Sequence, residues 1–225
     1  ARRAANGLSN GANPPAKNPA APTATVAGKA HTDRRVRISL APDSPSVFYR
    51  DPNNQLLAPL KATDGVLFPV QPQIAIGHEA RYQAQDLTHS NFTFWNYTNS
   101  SVKPVSVTGE FIVRNPTEGR YCVAAIRFLQ AMTKMFNAND TDNNLKGAPP
   151  MVARLHGLGF VGFDNLPVVI TSVDVNFPDA SDLVSVVVKA GDAEEVVKIP
   201  TSFTITINMN PVFSRYYATT VFGTQ

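Results

Sequence analysis

"IPTSFTITINMNPVFS", residues 199–214, is a long uncharged run in which apolar and polar side chains take turns. Phe203, Ile205, Ile207 and Met209 alternate with Ser202, Thr204, Thr206, Asn208 and Asn210, the period of a strand with one apolar and one polar face. No charge appears until Arg215. Long strands without Lys or Glu invite edge pairing, so proteins usually charge, shorten or cover them. A neutral polar face suits a strand that continues into a neighbouring subunit's sheet, or one that lines a water-filled bore. An interior strand of an isolated barrel fits the pattern equally well.

The same period extends upstream. "VRISLAP", "SVFYRD", "GVLFPV", "QIAIGHEARY", "NFTFWNY", "PVSVTGEFIV", "MVARLHG", "VVITSVDVNF", "LVSVVVKAG" and "EEVVKI" are short, rich in β-branched and aromatic residues, and separated by Pro, Gly, Asn and Asp. Many short strands of this kind make an antiparallel β-sandwich or barrel. "KAGDAEE" reads as a hairpin tip with Gly191 free to take positive φ and Asp192 solvated. No internal repeat of domain-building length is visible.

One stretch departs from this pattern. In "NPTEGRYCVAAIRFLQAMTKMF", residues 115–136, Asn115 is a good N-cap, Pro116 occupies the first helical position, and Glu118 stands where a capping box puts it. Tyr121, Ala125, Phe128, Leu129, Met132, Met135 and Phe136 recur on one face, which predicts a helix over 115–136 laid on an apolar surface. A Met and aromatic stripe at this spacing is ordinary core, and no cofactor role is assigned to it.

Composition narrows the class. The chain has 225 residues, 43% of them apolar, enough for one substantial core. Charged residues make up only 16%, against about 25% in typical proteins, so much of the surface is neutral and suited to burial by other subunits. The single cysteine, Cys122, excludes an intrachain disulfide framework and reads as a small buried hydrophobe. No stretch is long and apolar enough for a membrane-spanning helix, and no secretory signal is visible. The first residue is Ala rather than Met, as it would be had a short leader been removed.

The net charge of +3 hides a split. Residues 1–37 carry seven basic side chains and one acid, a balance of +6, which leaves −3 for the remainder. Residues 1–35 form an Ala-, Asn-, Gly- and Pro-rich segment with almost no large apolar side chain, and are expected to be an extended basic arm, a tail or clasp ordered by partners. Without interleaved aromatics its charge is a weak signal for nucleic acid.

Apparent catalytic and ligand motifs fail on context. "GLGFVG", with Gly157, Gly159 and Gly162, has the dinucleotide glycine spacing, but the β-branched run "VVITSVDV" follows where a phosphate-binding helix is required. "DTDNNLKGAPPM" opens like a calcium loop with Asp140, Asp142 and Asn144, yet Leu145 replaces the turn glycine and Met151 the closing Glu. His31, His78, His89 and His156 are dispersed and show no metal spacing or nucleophile pairing. No catalytic residue, cofactor or metal site is therefore expected. Asn91, Asn96, Asn99 and Asn139 begin glycosylation sequons, which mean little without a secretory signal.

Longer segments are more specific. "FLQAMTKMF", "VARLHGLGFVGFDNLPVVITSVDVNFP" and "IPTSFTITINMNPVFSR", preceded by "GVLFPVQPQIAIGHEARY", "THSNFTFWNY" and "VTGEF", resemble in order and spacing the baseplate tube-junction or tail-tube-initiator proteins of contractile-tailed bacteriophages. The resemblance runs from about Leu60 to Arg215, and "FDNLPVVITS" and "PVFSR" are its most distinctive pieces. It implies a tail-tube-type β domain over 36–225 with one helix packed on the sheet. It also implies a structural virion protein in a sixfold ring joining the baseplate to the tail tube, initiating tube polymerisation and lining the DNA channel. Partners would be further copies in a homo-hexamer, the tail tube protein, baseplate hub and wedge proteins and the sheath, with DNA as transient cargo and no membrane. Assembly would take place in the host cytoplasm. The major tail tube protein and a hub-adjacent ring share this architecture. On this reading Ser202, Thr204, Thr206, Asn208 and Asn210 face the channel or a neighbouring subunit, and Tyr121, Ala125, Phe128, Leu129 and Met132 form the helix core face.

Two other classes compete. A monomeric glycan- or ligand-binding β-sandwich could use Phe92, Phe94, Trp95 and Tyr97, although aromatic strand clusters are expected to be core. An enzyme is the third, and no constellation of residues supports it.

Overall fold

The computed structural model describes residues 35–136, 145–158, 163–179, 181–190 and 193–213. The arm expected over 1–35, except Arg35, lies outside them, as do Asp140, Asp142, Asn144, Gly159, Gly162, Gly191, Asp192 and Arg215.

The described chain is mainly β, antiparallel, with one α-helix. Its strands are β1 (Arg37–Leu40), β2 (Val66–Leu67), β3 (Gln73–Ala75), β4 (His78–Asp86), β5 (Thr93–Val102) and β6 (Val105–Ile112) before the helix α1 (Pro116–Ala131). After it come β7 (Ala153–Gly157), β8 (Phe163–Asn176), β9 (Leu183–Ala190), β10 (Ala193–Pro200) and β11 (Ser202–Pro211). Seven strands form one sheet in the order β2-β1-β7-β8-β11-β6-β3, while β4 with β5 and β9 with β10 make two-stranded sheets. The large sheet has two ends, β2 and β3, so the barrel alternative is excluded: these strands do not close on one another.

β11, the uncharged strand, lies inside this sheet between β8 and β6. β11 pairs with β6 from Ser202↔Ile112 to Met209↔Val105 and with β8 from Thr204↔Asn176 to Pro211↔Val168. Phe203, Ile205, Ile207 and Met209 are buried on one face. There they join a single core with Ile38, Leu155, Val107, Phe111 and the helix. Phe111 stacks on Phe203 at 5.6 Å between ring centroids.

α1 starts as its sequence dictates. The Asn115 side chain accepts from the Glu118 amide at 2.8 Å, while the Glu118 carboxylate accepts from the Arg114 amide at 2.8 Å, one residue upstream of the usual capping-box partner. Ala125, Phe128, Leu129 and Met132 are fully buried; Tyr121 is half-buried and its hydroxyl accepts from the Leu67 amide at 2.7 Å. Gly119 lies so close to Val186 of β9 that a Cβ there would collide with the valine methyl, so glycine sets the helix–hairpin distance.

Two expectations are corrected here. The helix ends at Ala131 with Met132 as C-cap, not at 136. Thr133 Oγ donates to the Gln130 carbonyl at 2.8 Å, and Phe136 turns aside to bond Ala148 and pack on Phe48. Met135, assigned to the apolar stripe, is therefore 57% exposed. The run "SVFYRD" is not a strand: Phe48–Arg50 forms a 3-10 turn with Phe48 at φ 55°. Long-range contacts override the local preference, since Phe48 and Tyr49 both meet the Phe128 ring edge-on, at 5.8 and 5.3 Å.

Candidate functional site

The register of β11 assembles a continuous polar surface. Residues opposite one another across an antiparallel ladder share a face. Thr204 therefore lies with Glu110 and Asn176, Thr206 with Thr108 and Asp174, and Asn208 with Ser106 and Ser172. Gln73 and Ala75 of β3 extend it beside Thr108 and Ser106. Ser202, Thr204, Thr206 and Asn208 are half-buried among these neighbours, and Asn210, beyond a β-bulge after Asn208, is exposed.

Hydroxyls and amides on this face satisfy one another. Thr108 and Thr206 hydroxyls lie 3.2 Å apart, the Asn208 amide donates to Ser172 at 2.9 Å, and Ser202 donates to Glu110 at 2.8 Å. Across β8, β11 and β6 the described face therefore offers hydroxyl, amide and two carboxylates, with no lysine or arginine in these registers. Such a face stays hydrated and gives a polyanion nothing to hold.

Among the described residues the β1–β7 end of this face carries basic groups, Arg37, Arg154 and His156; Arg154 donates to the Asn165 carbonyl at 3.3 Å and keeps its buried Nε without a partner. Arg37 donates to the Thr63 carbonyl at 3.2 Å and lies 3.5 Å from Asp64. His156 Nε2 lies 3.1 Å from Ser39 Oγ, and burial, reinforced by Arg37, holds its pKa below the usual 6.5. Ser39 is 2% accessible, so this Ser/His contact is closed to a substrate. Tyr49, whose hydroxyl accepts from the Leu40 amide at 3.0 Å and donates to Asp64 at 3.2 Å, is pushed up to about 12 chiefly by burial. Burial likewise pushes the Cys122 thiol up to about 12, so it is unreactive at neutral pH. Among the described residues no three His, Cys, Asp or Glu side chains are grouped to hold a metal, and no helix is long and apolar enough to cross a membrane.

The second functional element is one the sequence reading misplaced. β4 and β5 pair from His78↔Val102 to Asp86↔Thr93 and are exposed along almost their whole length. Phe92, Phe94, Trp95 and Tyr97, expected to be core, are all exposed, Phe92 at 79% and Trp95 at 66%. Tyr82, Trp95 and Tyr97 share one face, with Tyr82 and Tyr97 edge-to-face at 5.7 Å, whereas Phe94 falls on the other. A signal was available. Aromatics at 92 and 94 and then at 95 and 97 occupy both faces, which a strand lying on a single core does not need. The hairpin base is closed where Lys103 N donates to Gly77 O at 2.8 Å and Lys103 Nζ lies 3.9 Å from Glu79, while Arg81, 2.9 Å from Glu79 on the same strand, lowers the Glu79 pKa.

No protein-family model matches this sequence, and no curated protein matches it at a significant level.

Proposed function

We propose that this chain is a structural subunit of a contractile phage tail, with a tail-tube-type β-sandwich domain. In this reading it forms a homo-hexameric ring between baseplate and tail tube, starts tube polymerisation and lines the DNA channel. Its neighbours are the tail tube protein, the baseplate hub and wedge proteins and the sheath. The observation that carries the reading is the hydroxyl- and amide-lined face around β11, with Glu110 and Asp174 its only charges in the registers given above. A conduit for DNA must stay wet without binding phosphate, and this surface has that chemistry. Scarce overall charge and an exposed aromatic hairpin fit a subunit covered by neighbours. The test is Thr206→Lys. Repeated around a ring, it creates a cationic band; the isolated subunit should fold normally, while incorporation or DNA delivery should fail. Normal folding, assembly and delivery together would remove the channel.

The exposure of Phe92, Trp95 and Tyr97 favours one further reading, a monomeric glycan-binding module, because sugars stack on exposed rings. Saturable quenching of Trp95, the only tryptophan, by an oligosaccharide panel would support it.

A further inference from the structure

The hairpin exposes more than its own fold explains. β4 and β5, of 9 and 10 residues, project over about 30 Å at 3.4 Å per residue, with both outer edges unpaired in the described sheets. A two-stranded sheet with both faces in water is marginal. Between Tyr82 and Tyr97 the only charged residue is Asp86, whose carboxylate accepts from Thr93 at 2.7 Å. At about 200 Å² per ring, the exposed parts of Tyr82, Trp95 and Tyr97, which share one face, amount to roughly 360 Å². That is a little under half of the roughly 800 Å² per partner of a standard interface, before the strand backbone and the other side chains of that face are counted.

The body carries a matching recess. A cavity of about 610 Å³ opens between the 3-10 turn at Ala58–Lys61 and β9, walled by Leu56, Ala58, Pro59 and Val187. Arg120 and Lys189 stand on its rim against the single acid Glu194, which Lys189 meets at 3.1 Å. The recess is apolar inside and carries surplus positive charge at its mouth, while the hairpin is aromatic with one acid near its tip.

The geometry points to a second copy of this chain as the partner: the Tyr82, Trp95 and Tyr97 face of one copy's hairpin seats in the Leu56–Val187 recess of the next, with Asp86 toward Arg120 and Lys189. Donor and acceptor surfaces differ, so the contact is heterologous and each copy gives one and receives one, which builds a ring or a helical filament. The inference rests on the exposed surfaces, not on the phage reading, and association of copies would survive if the DNA channel were disproved.

Trp95 is the reporter. Its emission should shift to shorter wavelength as protein concentration rises, in step with the sedimenting mass. Val187→Glu, which changes the recess and leaves the hairpin intact, should weaken that association by about tenfold or more. A second measurement guards against a Val187→Glu chain that does not fold. Mixing an Ala84→Cys chain, whose new thiol lies on the Tyr82, Trp95 and Tyr97 face, with a Gln55→Cys chain under oxidation should give a mixed disulfide well above an Ala84→Cys with Thr204→Cys control, with buried Cys122 silent. No mixed disulfide above that control at any accessible concentration would overturn the proposal. So would a Trp95 shift produced only by phosphatidylcholine vesicles or an oligosaccharide.

Discussion

The body and the β4–β5 hairpin are built from the same kinds of residue, yet they put them to opposite use. In the body, Phe111, Phe128 and Phe203 are buried within one core, and β11 keeps its polar residues on the other side of the sheet. In the hairpin, Phe92, Phe94, Trp95 and Tyr97 are exposed on two faces, with no layer among the described residues against either. The difference is one of what each region is stabilised by. The body is stabilised by its own chain; the hairpin presents apolar surface that no described part of the chain covers.

The comparison predicts a graded response to mutation. The largest effect is expected of Phe128→Ala, which empties the site where Phe48 and Tyr49 meet the helix, at a cost of about 3–5 kcal/mol by denaturant unfolding. An unchanged curve would mean the helix does not hold the sheet. Tyr49→Phe leaves the Leu40 amide and Asp64 without their buried partner and should cost about 1–3 kcal/mol with the fold retained.

A pH effect should follow from His156. Its folded pKa lies below the ordinary 6.5, so the unfolded chain takes up the proton first. The contribution is complete above 6.5 and is lost as pH falls from there toward the folded value. His156→Gln should flatten that part of the stability profile. An acid-side profile identical in wild type and variant would show that His156 is solvated like an ordinary histidine.

The smallest effect on folding belongs to the hairpin. Replacing residues 78–102 by a short turn between Gly77 and Lys103, already joined by a 2.8 Å hydrogen bond, should leave body stability within about 0.5 kcal/mol and abolish self-association. A collapse of the body would make the hairpin part of the core after all and erase the contrast.

The sequence made legible what local chemistry settles. The alternation of Phe203 to Met209 gave the two faces of β11, and Asn115, Pro116 and Glu118 gave the start of the helix. The helix end was not legible, because it depends on Phe136 reaching Phe48 and Ala148 across the fold. The turn at Phe48–Arg50 was hidden for the same reason, since a β-prone run yields to rings from α1. Glu110 and Asp174 could not be joined to Thr204 and Thr206 without the register of three strands. The open sheet, as against a closed barrel, also lies beyond local pattern, because closure depends on whether the first and last strands meet.

Whether β11 lines a channel can be read from electron-microscopy class averages of the assemblies this chain forms above the concentration at which Trp95 emission shifts, together with the same images for Thr206→Lys. A channel-forming subunit should give annular particles of six copies with an open bore lined by the β11 face, and the variant should lose or distort that annulus. Compact particles without an opening, or annuli whose bore is unaffected by Thr206→Lys, would contradict the channel.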